Sequence, residues 1–183
     1  MIIHPTPIVD LVVAESKAFK DERGAFARLF CEQELSSVLG GRKIVQINHS
    51  CTEAIGAVRG LHFQHAPHTE MKLVRCLKGK VWDVAVDLRP ESSSYKRWYA
   101  QELSPHNAQM MVIPEGFAHG FQVLEASSEL LYLHTAFYKL ESEGGVRHDD
   151  PELGIAWPLP VTDISARDSH HTYIDTSFRG IVL

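Results

Sequence analysis

Apolar and polar residues alternate with a period close to two along much of this chain, and Gly, Pro and Ser interrupt the pattern at short intervals. VWDVAVDLR is the clearest case, with Trp82, Val84, Val86 and Leu88 sharing one face of an extended strand. The same reading predicts strands over 7–13, 24–30, 42–50, 56–64, 71–77, 80–88, 96–103, 109–113, 119–125 and 129–138. DERG, LKGK, RPESSS and SPHN supply the turn chemistry between some of them. One segment keeps a different period. In CEQELSSVLGG, Leu35, Val38 and Leu39 recur at helical spacing ahead of a Gly-Gly stop, which predicts a short helix over 31–41. From Glu141 onward the rhythm fades, which predicts loops and short helical turns packed on the outside. Many short strands with almost no helix indicate an all-β sandwich or jelly roll, built as a single domain over 1–183.

Composition narrows the function. An apolar fraction of 44% suits a soluble globular core. A net charge of −5 without any long basic run gives no reason to expect nucleic acid. No apolar stretch approaches the roughly 20 residues of a membrane helix, so no membrane partner is expected. The start, MIIHPTPIVDLVVAESKAF, lacks a basic region and is interrupted by Asp10, unlike a secretory signal. Cys31, Cys51 and Cys76 form no CxxC and cannot all pair, which fits reduced thiols in a cytoplasmic protein.

The densest chemistry lies in GAVRGLHFQHAPHTEMKLVRCLKG, residues 56–79. Two strands joined by a polar, Pro-containing turn bring Arg59, His62 and Lys72 close together. Such a floor suits an anionic small molecule whose chemistry needs a base. A carboxylate on the other ring nitrogen would fix the tautomer of His62; spacing does not nominate it, and Asp83, Asp87 and Asp168 are all candidates. Tyr132 shares a strand face with Leu130, His134 and Ala136, and could give a proton from the side opposite a base. Arg23 and Arg59 have the forked geometry that binds phosphates. PEGFAHGF fits the P-x-G-x-x-H pattern of metal-binding cupin hairpins, with His119 as its histidine. The companion His-x-His is absent, since Gln64 follows His62 at that spacing, so no bound metal is expected. A metal-dependent oxygenase or isomerase would have to use His62, His119 and Glu70. No P-loop or Rossmann glycine pattern appears. Taken singly, each of these residues also has an ordinary structural role: a packed tyrosine, a surface histidine or a solvated arginine.

Together, FKDERGAF, QINHS, VRGLHFQ, KLVRCLKGKVWDVAVDLRPES, IPEGFAHGF, LLYLHTAFY, DDPELGIAWP and ISARD resemble the dTDP-4-dehydrorhamnose 3,5-epimerase family over nearly the whole chain. The resemblance implies a cupin-type jelly roll with short peripheral helices, a homodimer and no cofactor. It further implies epimerisation at C3, C5 or both of a nucleotide-linked 4-keto-6-deoxyhexose. Carried over by motif, His62 is the base, Asp168 its orienting carboxylate, Lys72 the group at the enolate oxygen and Tyr132 the acid. Arg23, Gln46, Asn48, Arg59, His119, Glu143 and Arg167 match positions that hold the nucleotide diphosphate and sugar, and Tyr138 an aromatic that stacks on the base. Arg167 stands where lysine is usual. Arg28 stands where a glutamate commonly lies near thymine; a guanidinium only donates, so it would suit the acceptors of cytosine and a CDP-linked substrate. A non-catalytic sugar-binding cupin would not need an acid and a base across one pocket.

Overall fold

Alternating side chains and frequent turns leave the backbone to satisfy itself laterally, and it does so almost wholly in antiparallel ladders. A computed structural model describes residues 1–183. Its strands are β1 (Ile2–Pro5), β2 (Val12–Glu15), β3 (Ala18–Asp21), β4 (Gly24–Ala27), β5 (Gln46–Thr52), β6 (Val58–Gln64) and β7 (Lys72–Lys78). They continue with β8 (Val81–Asp87), β9 (Trp98–Leu103), β10 (Gln109–Ile113), β11 (Phe117–Val123), β12 (Ser128–His134) and β13 (Glu143–Gly145). Two single-turn α-helices, α1 (Ser36–Leu39) and α2 (Ala166–Ser169), and a 3-10 turn over Leu140–Ser142 complete the set. A six-stranded sheet in the order β1-β2-β10-β7-β12-β5 faces a five-stranded sheet in the order β13-β6-β11-β8-β9, and β3–β4 forms a separate hairpin. This is a jelly roll with small peripheral helices, one of the two architectures that the strand pattern allows and the one that the resemblance implies.

Three apolar layers explain why so many strands read as hydrophobic. Between the sheets, Val74, Cys76, Met111 and Leu130 meet Val81, Ala85, Phe117 and Phe121. Burial pushes the Cys76 thiol up to about 11, so it packs there as an unreactive neutral group. Outside the five-stranded sheet, Val84, Val86 and Leu88 are covered by Leu153, Ile174 and Ile181 of the C-terminal segment. Outside the six-stranded sheet, Met110, Val112 and Leu133 are covered by Leu35 and Leu39. The alternation of VWDVAVDLR therefore separates two cores rather than core from water.

The differences from expectation are local. Residues 7–13 are not one strand. Thr6 Oγ1 donates to the Leu11 carbonyl at 2.8 Å and Asp10 adopts a φ of 65°, so the chain turns between β1 and β2. The apolar run there serves burial of Ile8 and Leu11 in the turn. The helix expected over 31–41 is only α1, one turn that buries Leu39 and ends on Gly40 in the left-handed region. The strand expected over 129–138 stops at His134, because Gln64 captures the following segment through its bond from the Lys139 amide at 2.6 Å. The tail packs outside as expected, yet it also adds β13 to the edge of β6.

Leu130 has no exposed surface and sits where the two sheets meet. Leu130→Ala is expected to cost about 2–5 kcal/mol, read from urea denaturation; a loss below about 1 kcal/mol would contradict the shared core described here.

Candidate active site

At one end the facing sheets exchange apolar inward residues for polar ones, and a cleft of about 880 Å³ opens between them. Its walls are the inward positions of β5, β6, β7, β11 and β12, continued by β13 and the segment around α2. Ten of the candidate residues line it: Asn48, Arg59, His62, Lys72, His119, Tyr132, Tyr138, Glu143, Arg167 and Asp168. Gln46 lies just beyond, its Oε1 accepting from the Tyr138 amide at 3.0 Å.

Two candidates are elsewhere. Arg23 occupies the tip of the β3–β4 hairpin, 89% exposed and paired with Asp21. Arg28 is paired with Glu34, and its carbonyl accepts from Ser16 Oγ. Neither enters the cleft of its own chain. The CDP-linked alternative rests on Arg28 meeting the base, and within one chain Arg28 meets Glu34 instead.

His62 is fixed from two directions. Its strand β6 pairs with β11, where His62 lies opposite His119, and with β13, where it lies opposite Gly145. Beneath it, Ser165 caps α2 by accepting from the Asp168 amide at 3.1 Å. Asp168 Oδ1 then accepts from His62 Nε2 at 2.8 Å, and Oδ2 accepts from the Gly60 amide at 3.0 Å. Gly60 is required at its position: its φ is 117°, and a Cβ would come within 2.6 Å of Gly120 Cα. Burial pushes the Asp168 carboxyl up, but the His62 and Gly60 hydrogen bonds outweigh it and hold the group well below the usual carboxylate range. With Asp168 an anion, the imidazole keeps its proton on Nε2 and its lone pair on Nδ1. Arg167 approaches the same pair, with NH2 3.1 Å from His62 Nε2 and Nε 3.2 Å from Asp168 Oδ1, while NH1 donates to Glu143 at 2.8 Å.

The facing sheet carries the other half. Tyr132 OH lies 3.0 Å from Ser50 Oγ, and burial, with the charge of Asp83 adding to it, pushes the phenol well above its ordinary value. It therefore holds its proton at neutral pH. Lys72 Nζ donates to the His62 carbonyl at 3.3 Å and pairs with Glu70 at 3.1 Å. Arg59 bonds only to uncharged groups, with Nε donating to Thr52 Oγ1 at 2.8 Å and NH2 to the Cys51 carbonyl at 3.5 Å.

Spacing alone left three carboxylates open for His62, and the geometry separates them. Asp83 serves His119 instead, at 2.8 Å and fully buried, where burial pushes its carboxyl up against the pull of that histidine. Asp87 holds Arg89 at 2.8 Å. The set a metal-dependent cupin would use does not converge: His62 pairs with Asp168, His119 with Asp83, and Glu70 with Lys72 and His134. One group has ligand-like spacing, His62, Asp168 and His171 within 4.8 Å, but the Arg167 cation already approaches two of its members. Ser50, His134, Ser165 and His171 went unselected in the sequence. Only His134 carried a signal, its place on the Tyr132 face.

The whole chain can be compared with known proteins. The family model described as dTDP-4-dehydrorhamnose 3,5-epimerase matches residues 5–176. A Salmonella typhimurium protein named dTDP-4-dehydrorhamnose 3,5-epimerase is 42% identical over 178 residues, covering 96% of each chain. An Escherichia coli protein of the same name is 42% identical over 159 residues, 86% of this chain and 85% of that one. Among solved structures, the dTDP-6-deoxy-D-glucose-3,5-epimerase of Legionella pneumophila, in complex with dTDP-4-keto-L-rhamnose, superposes with a TM-score of 0.92. It shares 37% identity and covers 100% of this chain and 98% of that chain. The dTDP-4-dehydrorhamnose 3,5-epimerase of Elizabethkingia anophelis gives 0.91 at 38% identity, with 97% and 98% covered.

The depressed Asp168 carboxyl carries a sign for stability. It contributes above the unfolded value of about 4 and loses that contribution as pH falls through its lower folded value. Asp168→Asn is expected to be less stable at neutral pH and to lose less on acidification below about pH 4 than the parent. Thermal midpoints across that range read this directly; parallel profiles would contradict it.

Proposed function

This chain belongs to the dTDP-4-dehydrorhamnose 3,5-epimerase family, and we propose that it inverts C3 and C5 of dTDP-4-dehydro-6-deoxy-D-glucose to give dTDP-4-dehydro-L-rhamnose. The observation that carries this reading is the pairing across the cleft: a His62–Asp168 dyad on one sheet and a protonated Tyr132 on the other. The 4-keto group acidifies the hydrogens on both neighbouring carbons. His62 Nδ1 takes one of them as the C–H bond breaks, and the electron pair moves into a C–C double bond and onto the ketone oxygen. Asp168 stabilises the imidazolium that forms. Lys72 donates to the enolate oxygen. Tyr132 then returns a proton to the opposite face, which inverts the centre, and both groups re-equilibrate with solvent. Nothing in this step is oxidised or reduced, and the protein groups supply both proton transfers.

Arg59 suits the diphosphate because no carboxylate competes for it, and Arg167 adds a second cation on the same rim. Tyr138 is half exposed and positioned by its hydroxyl bond to Glu143 at 3.0 Å, which suits stacking on the nucleobase. His119 and Asn48 then face the sugar, while Gln46 supports Tyr138 through its backbone amide. The assembly in this reading is a homodimer. Phe19 and Phe26 are 65% and 75% exposed on the β3–β4 hairpin, with Arg23 at its tip, an apolar and cationic finger unmatched on its own chain. Docked on a second copy, it would bring Arg23 to that copy's nucleotide.

Proton NMR in D2O with dTDP-4-keto-6-deoxy-D-glucose tests the chemistry. Deuterium is expected at both C3 and C5; exchange at one carbon would reduce the activity to a single inversion, and none would overturn the reading. His62→Ala is expected to lower turnover by about 10²–10⁴-fold with dTDP binding retained. Tyr132→Phe is expected to keep solvent exchange on the His62 face while losing inversion; unchanged inversion would remove Tyr132 as the acid. For the assembly, sedimentation should give twice the chain mass, and Arg23→Ala should raise KM more than it lowers kcat.

A further inference from the structure

The ammonium of Lys72 sits at the end of a hydrogen-bonded chain that the proton-transfer scheme does not use. The Tyr138 amide donates to Gln46 Oε1 at 3.0 Å, and Gln46 Nε2 donates to Asn48 Oδ1 at 3.3 Å. Asn48 Nδ2 meets His134 Nε2 at 3.3 Å, and His134 Nδ1 meets Glu70 Oε2 at 2.7 Å. Glu70 Oε1 receives Lys72 Nζ at 3.1 Å. The polarity runs one way from Tyr138 to Glu70, and the Lys72 ammonium donates to the same carboxylate from the other side. Asn48 offers N–H to Nε2, so Nε2 must accept and Nδ1 must carry the proton it gives to Glu70. A neutral imidazole in that tautomer satisfies every link.

The strand register builds this chain. Lys72 on β7, His134 on β12 and Gln46 on β5 are consecutive cross-strand partners, with Asn48 one inward position further along β5. The charged end is dry: the side chains of Lys72, Glu70 and His134 are 10%, 7% and 10% exposed. Burial raises the Glu70 carboxyl, but His134 and Lys72 outweigh it and keep it an anion. A lysine has four rotatable bonds and no preferred direction of its own, so a buried carboxylate beside it decides where its donors point. Glu70 in turn has only His134 as a second anchor among these groups.

We infer that His134 and Glu70 are positioning residues for Lys72, forming with Asn48 and Gln46 a fixed relay that aims the ammonium at the ketone oxygen and ties it to the Tyr138 end of the cleft. This rests on the reading above that Lys72 stabilises the enolate. Loss of the relay should act on the transition state, where charge develops on that oxygen, more than on binding of the ground-state ketone.

Two substitutions at His134 distinguish positioning from packing. His134→Phe keeps an aromatic ring but neither donates nor accepts; His134→Gln has both an acceptor and a donor in one amide. Steady-state kinetics with dTDP-4-keto-6-deoxy-D-glucose, with thermal midpoints to check folding, should show kcat of His134→Phe lowered about tenfold or more with KM within about twofold. His134→Gln should recover to within about threefold of the parent. Should His134→Phe fail to fold, Glu70→Gln carries the test, because His134 and Lys72 donate to different carboxylate oxygens and the amide turns one of these into a donor, and the same loss in kcat is expected. Parental kcat in His134→Phe or in Glu70→Gln, or His134→Phe more active than His134→Gln, would overturn the relay. Lys72→Met separates the two levels: if it is inactive while His134→Phe is not, only the relay falls, whereas a parental rate in Lys72→Met would remove the lysine's role and the relay with it.

Discussion

The inward face of each strand is the constraint on which the cleft depends. On β12, Leu130, Tyr132 and His134 point the same way; Leu130 closes the shared core while the other two reach the cleft. On β11, Phe117 and Phe121 flank His119 with the same division, and on β7 Lys72 is followed by Val74 and Cys76. Core and site are therefore one surface read at two ends. A one-residue slip of any of these strands would exchange its polar inward set for the residues now packed under the outer layers, so the register that buries the core also aims the chemistry. Gly60 against Gly120 is a close backbone approach within that register, and it is also where the backbone amide meets Asp168.

Burial on three layers has an electrostatic consequence. The cleft ends where two buried sheets part, so its ionisable groups sit in a medium that penalises any unpaired charge. Four carboxylates there are matched: Asp168 with His62, Asp83 with His119, Glu70 with Lys72 and His134, and Glu143 with Arg167. The pairs are not equivalent. Asp168 gains a backbone amide and is held low, which keeps it an anion able to stabilise a charged imidazole. Asp83 is fully enclosed and is pushed up, because burial disfavours its charged form more than His119 restores it. Two histidine–carboxylate pairs on neighbouring strands are thus tuned in opposite directions by what else reaches the carboxylate.

Much of this was legible in the chain. The period-two pattern located β6 to β12 because each buries at least one face, and the turn residues between them stand at their ends. It failed at 7–13, where apolar residues fill a turn; the helical spacing at 31–41 found a helix but overran it, since one turn suffices to cover Leu133 and Met110. The base, the lysine and the tyrosine stood out by residue type within short motifs. Their partners did not. Asp168 lies 106 residues beyond His62 in a stretch without periodicity, and only the cap at Ser165 turns it under β6. The family motif chose it where spacing could not. Arg28 shows the converse: its position in the motif suggested contact with a base, but Glu34 six residues away holds it outside its own cleft.

Arg59 is the exception that ties these points together. Lys72 and Arg167 each already face a carboxylate, so their charge is largely spent inside the protein. Arg59 bonds to a hydroxyl and a carbonyl, neither of which neutralises it. A dianionic diphosphate entering the cleft would therefore find its strongest net attraction there, at the N-terminal end of β6, three residues before His62. In the proposed reading, the phosphates would meet Arg59, the base would stack on Tyr138, and the sugar would occupy the gap between the two sheets. Only in that gap can one face of the ring meet an imidazole while the other meets a phenol, which is the geometric requirement for inverting a carbon rather than merely exchanging its proton.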